Sequence, residues 1–224
     1  MYHEGVLTNA EQDYIRGWVP FLETRIFLDS RPLIPRTETE YWVEQAIQEM
    51  SETNNLCVLD IFAGSGCAGL ATLKHRPNAF VTFAEIEEAH LDTIKKSISE
   101  NDLNKRHAFF IESDVWENVD GRFDFIFANP PYISKERNTV EKEVVTTEPS
   151  RALFAEEDGY AYIRETIQGL SSSLANKGVC YIEHEPFHVE KIEAQIKNSA
   201  FTATTKKDQY GVDRFTRIIR SNVS

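Results

Sequence analysis

The residues with the clearest chemical potential lie between Val58 and Gly69, where Val-Leu-Asp-Ile-Phe-Ala-Gly-Ser-Gly-Cys-Ala-Gly leads from an apolar stretch into a helical pattern. Gly64, Gly66 and Gly69 match G-x-G-x-x-G, and Glu85 follows 19 residues after Gly66, so a dinucleotide is one reading of the loop. Asp60 stands against it. A carboxylate just ahead of the loop repels a pyrophosphate and attracts the sulfonium and ammonium groups of S-adenosylmethionine. The charge therefore favours the methyl donor, with Phe62, Ala63, Gly64, Ser65 and Gly66 around it. Glu85 can accept hydrogen bonds from both ribose hydroxyls, which either cofactor needs. Asp114 can accept from the exocyclic amine of adenine, and Val115 can offer its backbone N–H to the ring.

A second element is Asn129-Pro130-Pro131-Tyr132, directly after an apolar run. Its composition suits transfer to a planar nitrogen, either an amide or the exocyclic amine of a base. The lone pair of such a nitrogen is delocalised, and breaking amide conjugation outright costs on the order of 18–20 kcal/mol. Asn129 can accept one N–H through its side-chain oxygen and the Pro130 carbonyl can accept the other. Pro130 and Pro131 fix φ, so the acceptors are held in advance, and Tyr132 supplies an aromatic wall. Neither a metal nor a covalent intermediate is required.

Short β-type runs alternate with helical patterns around these residues. Strands are expected at 57–62, 80–85, 107–112, 123–128, 178–184, 201–205 and 214–219, and helices at 66–75, 87–101, 158–176 and 186–198. The alternation predicts an α/β domain with a doubly wound, mostly parallel seven-stranded sheet, its final strand antiparallel. In such sheets ligands bind outside the carboxyl ends of the strands, so the tetrapeptide should face the glycine loop. Residues 1–55 read as a preface of N-terminal helix, hairpin (19–22 and 25–28) and first helix (37–50), and 56–224 as the catalytic domain. The longest stretch without periodicity is 133–154, a candidate functional loop.

Composition narrows the partners. Thirty-six acidic residues against 24 basic ones leave a net charge of −12, which disfavours nucleic acid. The three cysteines include no Cys-x-x-Cys pair and fit reduced thiols. No window approaches the ~20 apolar residues of a membrane span and no signal-peptide core follows Met1, so no membrane partner and a cytoplasmic location are expected. His184-Glu185-Pro186-Phe187-His188 is formally H-E-x-x-H. Pro186 suits a first helical turn, which separates the two histidines and leaves no metal site expected.

Taken together, Asp60 to Gly66, Glu85, Asp114 and Asn129 to Tyr132 resemble the class I S-adenosylmethionine-dependent methyltransferases that modify planar nitrogens. Two further blocks narrow the resemblance: Pro32-Leu33-Ile34-Pro35-Arg36-Thr37-Glu38-Thr39-Glu40, and Glu148-Pro149-Ser150-Arg151-Ala152-Leu153-Phe154 followed by Asp158-Gly159-Tyr160. From about Tyr14 onward the chain is similar to the release-factor glutamine methyltransferases, the HemK/PrmC family. The resemblance implies a Rossmann-like fold, S-adenosylmethionine as cofactor and peptide chain release factors as partners. It further implies methylation of the side-chain nitrogen of the glutamine in their Gly-Gly-Gln loop, with Asn129, Pro130, Pro131 and Tyr132 at the substrate and Asn129 also beside the cofactor. The sequence departs from the family pattern at Phe62, usually glycine, and in Glu183 to His188, where Glu-x-Gly-x-x-Gln is usual; no counterpart of the family's helical N-terminal domain is expected before Tyr14. The alternative is a nucleic-acid amino methyltransferase acting on adenine or guanine, since the same tetrapeptide serves flipped bases. The acidic charge and the Pro-Arg-Thr-Glu block discriminate against it.

Overall fold

Val58, Phe125, Phe127, Val179 and Tyr181 alternate along the chain with Leu59, Ile126, Ala128, Cys180 and Ile182, and the two sets are buried in separate cores. Successive strand residues face opposite sides, so these runs need cover on both faces of one sheet. The computed structural model of the protein describes residues 7–52, 55–137 and 142–221. Positions 1–6 and 53–54 of the expected preface, 138–141 of the 133–154 stretch and 222–224 at the end lie outside the described residues.

The chain opens with α1 (Asn9–Arg16), capped reciprocally by Thr8 and Glu11, and the hairpin β1 (Trp18–Phe21) and β2 (Thr24–Phe27). There follow α2 (Thr37–Glu49), β3 (Cys57–Ile61), α3 (Cys67–His75), β4 (Phe80–Glu85), α4 (Glu88–Glu100), β5 (Ala108–Glu112) and β6 (Phe123–Ala128). Short elements come next: β7 (Ile133–Ser134), α5 (Lys142–Thr147), α6 (Ser150–Leu153), β8 (Phe154–Ala155) and α7 (Glu156–Gly159). The chain ends with α8 (Ala161–Ser173), β9 (Leu174–Glu183), α9 (Val189–Ile196), β10 (Phe201–Lys207) and β11 (Asp213–Arg220).

Seven strands form one sheet in the order β10-β11-β9-β6-β3-β4-β5, and β11 alone runs antiparallel, against both β9 and β10. The α1-to-α4 half, with the hairpin, covers one face, and α8 and α9 cover the other. Residues of the preface share the first core: Phe21, Ile26, Trp42 and Val43 are buried with Val58, Leu70 and Phe127. β3 pairs with β4 on one side and β6 on the other, so the strand order reverses there and a crevice opens beyond their carboxyl ends.

Three expectations are corrected. The helix expected over 158–176 begins instead at Ala161, because Glu157 (φ +56°) and Asp158 (φ +60°) are left-handed and break the run into α7 and α8. Its expected tail belongs to β9, where Leu174 pairs with Phe123 across an irregularity before the regular ladder starts at Val179. Among its described residues the 133–154 stretch holds two short helices and a β7–β8 pairing, elements too brief to impose a periodicity on the sequence.

Candidate active site

The first strand of the glycine-loop unit ends in a sharp turn. Phe62 takes φ +61°, which for a side chain with a Cβ costs roughly 1–2 kcal/mol, and its ring stands edge-on to Tyr162 with centroids 5.7 Å apart. Glycine would adopt this backbone freely, so the Phe62 departure is a strained but packed solution. Gly69 explains the third position of the motif: a Cβ there would lie 2.2 Å from the Phe83 ring, so α3 can rest on β4 only without one.

The carboxylates at the strand ends are held in place by the backbone. Glu85 accepts from the N–H groups of Gly64 (2.7 Å), Ile86 (3.0 Å) and Glu87 (3.1 Å). Asp60 accepts from Gly69 N–H at 2.9 Å. Val115 takes φ +47°, and its carbonyl accepts from the Ser113 hydroxyl at 3.0 Å. The expected cofactor residues Asp60, Phe62, Ala63, Gly64, Ser65, Glu85, Asp114, Val115 and Asn129 all line one cavity of about 520 Å³. Gly66 does not; it precedes α3 and faces Ile94.

Asp60 is 5% exposed, and among the described residues no lysine or arginine forms an ion pair with it or with Glu85. Burial, helped by the Glu85 charge, pushes its carboxyl up to about 7 against the pull of the Gly69 N–H. A buried acid without a basic partner, next to a second acid, fits a cationic ligand such as S-adenosylmethionine and would oppose a pyrophosphate. Binding a cation favours ionised Asp60, so donor affinity is expected to rise with pH through about 7 and then level off. Calorimetry at about pH 6 should give roughly tenfold weaker binding than at about pH 8, with proton release, and Asp60→Asn should flatten the dependence. The sign for folding is opposite: with the folded value raised, this group's contribution to the ligand-free protein is lost as pH rises towards about 7.

The tetrapeptide leaves the end of β6 across the crevice. Asn129 lines the large cavity and also a second one of about 250 Å³, which Pro130 and Tyr132 border as well; Pro131 lines the first. The Tyr132 hydroxyl donates to Glu183 Oε1 at 2.8 Å, and burial together with the Glu183 charge raises the phenol well above its ordinary value. Tyr132 therefore serves as a pinned ring. Behind it, Gly159 (φ +84°) lies so close that a Cβ would stand 2.1 Å from the Tyr132 carbonyl oxygen.

Glu183, at the end of β9, entered the sequence reading only as the first residue of the Glu183-to-His188 block, with no contacts assigned to it. Only 1% exposed, it accepts from Tyr132, from the Thr39 hydroxyl (2.7 Å) and from the Trp42 indole N–H (2.6 Å). Burial raises its carboxyl, while the three donors and Arg214 favour the charged form. The available signal was an acid closing an apolar strand, Val-Cys-Tyr-Ile-Glu. Arg36 borders both cavities and pairs with the buried Glu148, which joins the two sequence blocks across the site. The histidines of the H-E-x-x-H pattern sit on different elements: His184 bonds the Thr216 hydroxyl, and His188, in the turn Pro186–His188, meets the Asp158 carbonyl. Among the described residues no helix is long and apolar enough to cross a membrane.

The chain is similar to known proteins. A family model described as the methyltransferase small domain matches residues 44–156. The release factor glutamine methyltransferase of Streptococcus pneumoniae is 36% identical over 222 residues, 95% of this chain and 76% of that protein. The enzyme of the same name from Flavobacterium psychrophilum is 34% identical over 213 residues, 92% and 74% of the two chains. Among solved structures, the ribosomal protein L11 methylase of Lactobacillus delbrueckii subsp. bulgaricus aligns with a TM-score of 0.64 at 18% identity, over 87% of this chain and 83% of that one, a likeness of fold. The doubly wound sheet is that of the class I methyltransferases, and by its full-length relatives the chain belongs to the release factor glutamine methyltransferase family, whose methyl donor is S-adenosylmethionine.

Proposed function

We propose that this enzyme methylates the side-chain amide nitrogen of the glutamine in the Gly-Gly-Gln motif of peptide chain release factors. The observation that carries this reading is the place of Asn129 on the wall shared by the two cavities, the first lined by the acids Asp60 and Glu85 and the second by Pro130 and Tyr132. S-adenosylmethionine supplies an electrophilic methyl group on its sulfonium. Asn129 Oδ1 and the Pro130 carbonyl, neither of which takes a hydrogen bond from any described residue, accept the two amide N–H groups and turn the nitrogen lone pair towards that methyl. Asp60 and Glu85 would hold the donor's charge and ribose; the new N–C bond would replace the donor's S–C bond, leaving a neutral thioether, and the nitrogen would lose one N–H proton to water.

The second cavity favours an amide side chain over a base. Its walls are Leu33, Ile133, Val144, Ala152 and Leu153 with the carboxylates Glu183 and Glu185, its one cation, Arg36, is paired with Glu148, and Tyr132 is the single aromatic ring among its lining residues. A flipped base is usually sandwiched between aromatic or apolar faces and followed by a phosphate chain that these acids would repel. The two glycines that precede the glutamine let the substrate backbone approach the crevice closely.

Incubation with labelled donor and a mixture of release factors, tRNA, ribosomal RNA and DNA tests the proposal. Label should appear in the release-factor peptide that contains Gly-Gly-Gln and be absent when its glutamine is replaced by alanine. Label in nucleic acid would contradict it.

A further inference from the structure

A carboxamide has two ends of nearly the same shape, one an acceptor and one a donor, and packing alone does not decide which faces the substrate. For Asn129 the wrong choice is disabling, because an NH₂ presented to the N–H groups of the acceptor nitrogen opposes donor to donor. We infer that Thr39 and Glu183 form a positioning relay that sets the polarity of the Asn129 side chain. The inference rests on the acceptor role proposed above for Asn129.

The direction of each bond follows from the chemistry of the groups. Trp42 Nε1 can only donate, so Glu183 Oε2, 2.6 Å away, must accept. Thr39 Oγ1 lies 2.7 Å from the same Oε2 and therefore donates its single proton there. With that proton committed, Thr39 Oγ1 can only accept from Asn129, and it does so from Nδ2 at 3.3 Å. Oδ1 is the end left for the substrate. The order survives protonation of Glu183, because a proton would go to Oε1, where the Tyr132 hydroxyl can accept as well as donate.

The elements are arranged to fix this chain of bonds. Thr39 and Trp42 are three residues apart on α2, so both project from one face onto the end of β9. Thr39, Trp42 and Glu183 are each no more than 2% exposed, which removes water as a competing partner. Trp42 is held by stacking on Tyr181, ring centroids 6.0 Å apart, and by an edge-on contact with Phe127 at 5.7 Å. The Pro-Arg-Thr-Glu-Thr block thus acts on the reaction through Asn129, without touching the reacting atoms.

The test compares Thr39→Val, which keeps the shape and removes the hydroxyl, with Thr39→Ser, which keeps the hydroxyl, and with Asn129→Ala, each checked for folding by thermal melt. The relay predicts that Thr39→Val lowers kcat on the order of 100-fold with the donor KM within about threefold, and that Thr39→Ser restores most of the rate. Thr39→Ala carries the same expectation should valine prevent folding. If folded Thr39→Val turns over normally while Asn129→Ala is inactive, the relay is wrong and the acceptor reading stands. If Thr39→Ser falls as far as Thr39→Val, packing rather than the hydroxyl is responsible and the relay is again overturned. If Asn129→Ala is active, the acceptor reading fails and the relay with it.

Discussion

Asn129→Ala is expected to lower kcat for methyl transfer roughly 100- to 1,000-fold, the usual cost of removing one preorganised polar contact of about 3–4 kcal/mol from a transition state. Asn129 is one residue among many on the wall of the large cavity, whereas Asp60 and Glu85, proposed above to hold the donor's charge and ribose, are fixed by the Gly69 and Gly64 backbone N–H groups and do not depend on it. Donor affinity by calorimetry should therefore change by no more than about threefold, and the loss should appear in single-turnover rates. A variant that binds the donor poorly but transfers normally once saturated would place Asn129 with the cofactor rather than the acceptor.

Trp42→Ala should give the largest loss of stability. Trp42 is 1% exposed and packs against Phe127, Tyr181 and Phe215, on the face of the sheet that α2 covers. Truncating a buried tryptophan costs about 3–5 kcal/mol. For a chain of this size that corresponds to a fall in Tm of roughly 10 °C. Part of the loss comes from Glu183, whose buried Oε2 is left with Thr39 as its remaining donor. Trp42→Phe separates the two contributions: it refills most of the ring volume but leaves out the N–H, a bond to a charged group worth about 1.5–3 kcal/mol. It should recover about half of the Tm loss, read by differential scanning calorimetry.

The strands were legible because their apolar runs are continuous and bounded, as in Val58 to Ile61 and Phe123 to Ala128. The gathering of Asp60, Glu85 and Asp114 on one cavity was legible because they follow successive strands in chain order, which brings them to one edge of the sheet without long-range information. Glu183 was not. Its three donors lie at positions 39, 42 and 132, and only the packing of α2 and the tetrapeptide onto the end of β9 brings them together. Trp42 shares the buried face of α2 with Val43, Ala46 and Ile47, but nothing in that periodicity says that its N–H meets a buried acid. The break at Glu157 and Asp158 was equally hidden, since neither residue type demands a left-handed backbone. Arg137, bonded to both Asp158 carboxylate oxygens, and the carbonyl contact of Asp158 with His188 hold that turn from outside the helix.

In the proposed reaction Asn129 presents its oxygen to a glutamine amide on the wall between the two cavities. A crystal structure of the enzyme with the demethylated donor and a release factor bound measures this directly. The glutamine side-chain nitrogen should lie about 2.7–3.2 Å from both Asn129 Oδ1 and the Pro130 carbonyl, with Asn129 Nδ2 still on Thr39. A glutamine seated away from Asn129, or one whose carbonyl rather than nitrogen meets the Asn129 side chain, would contradict it.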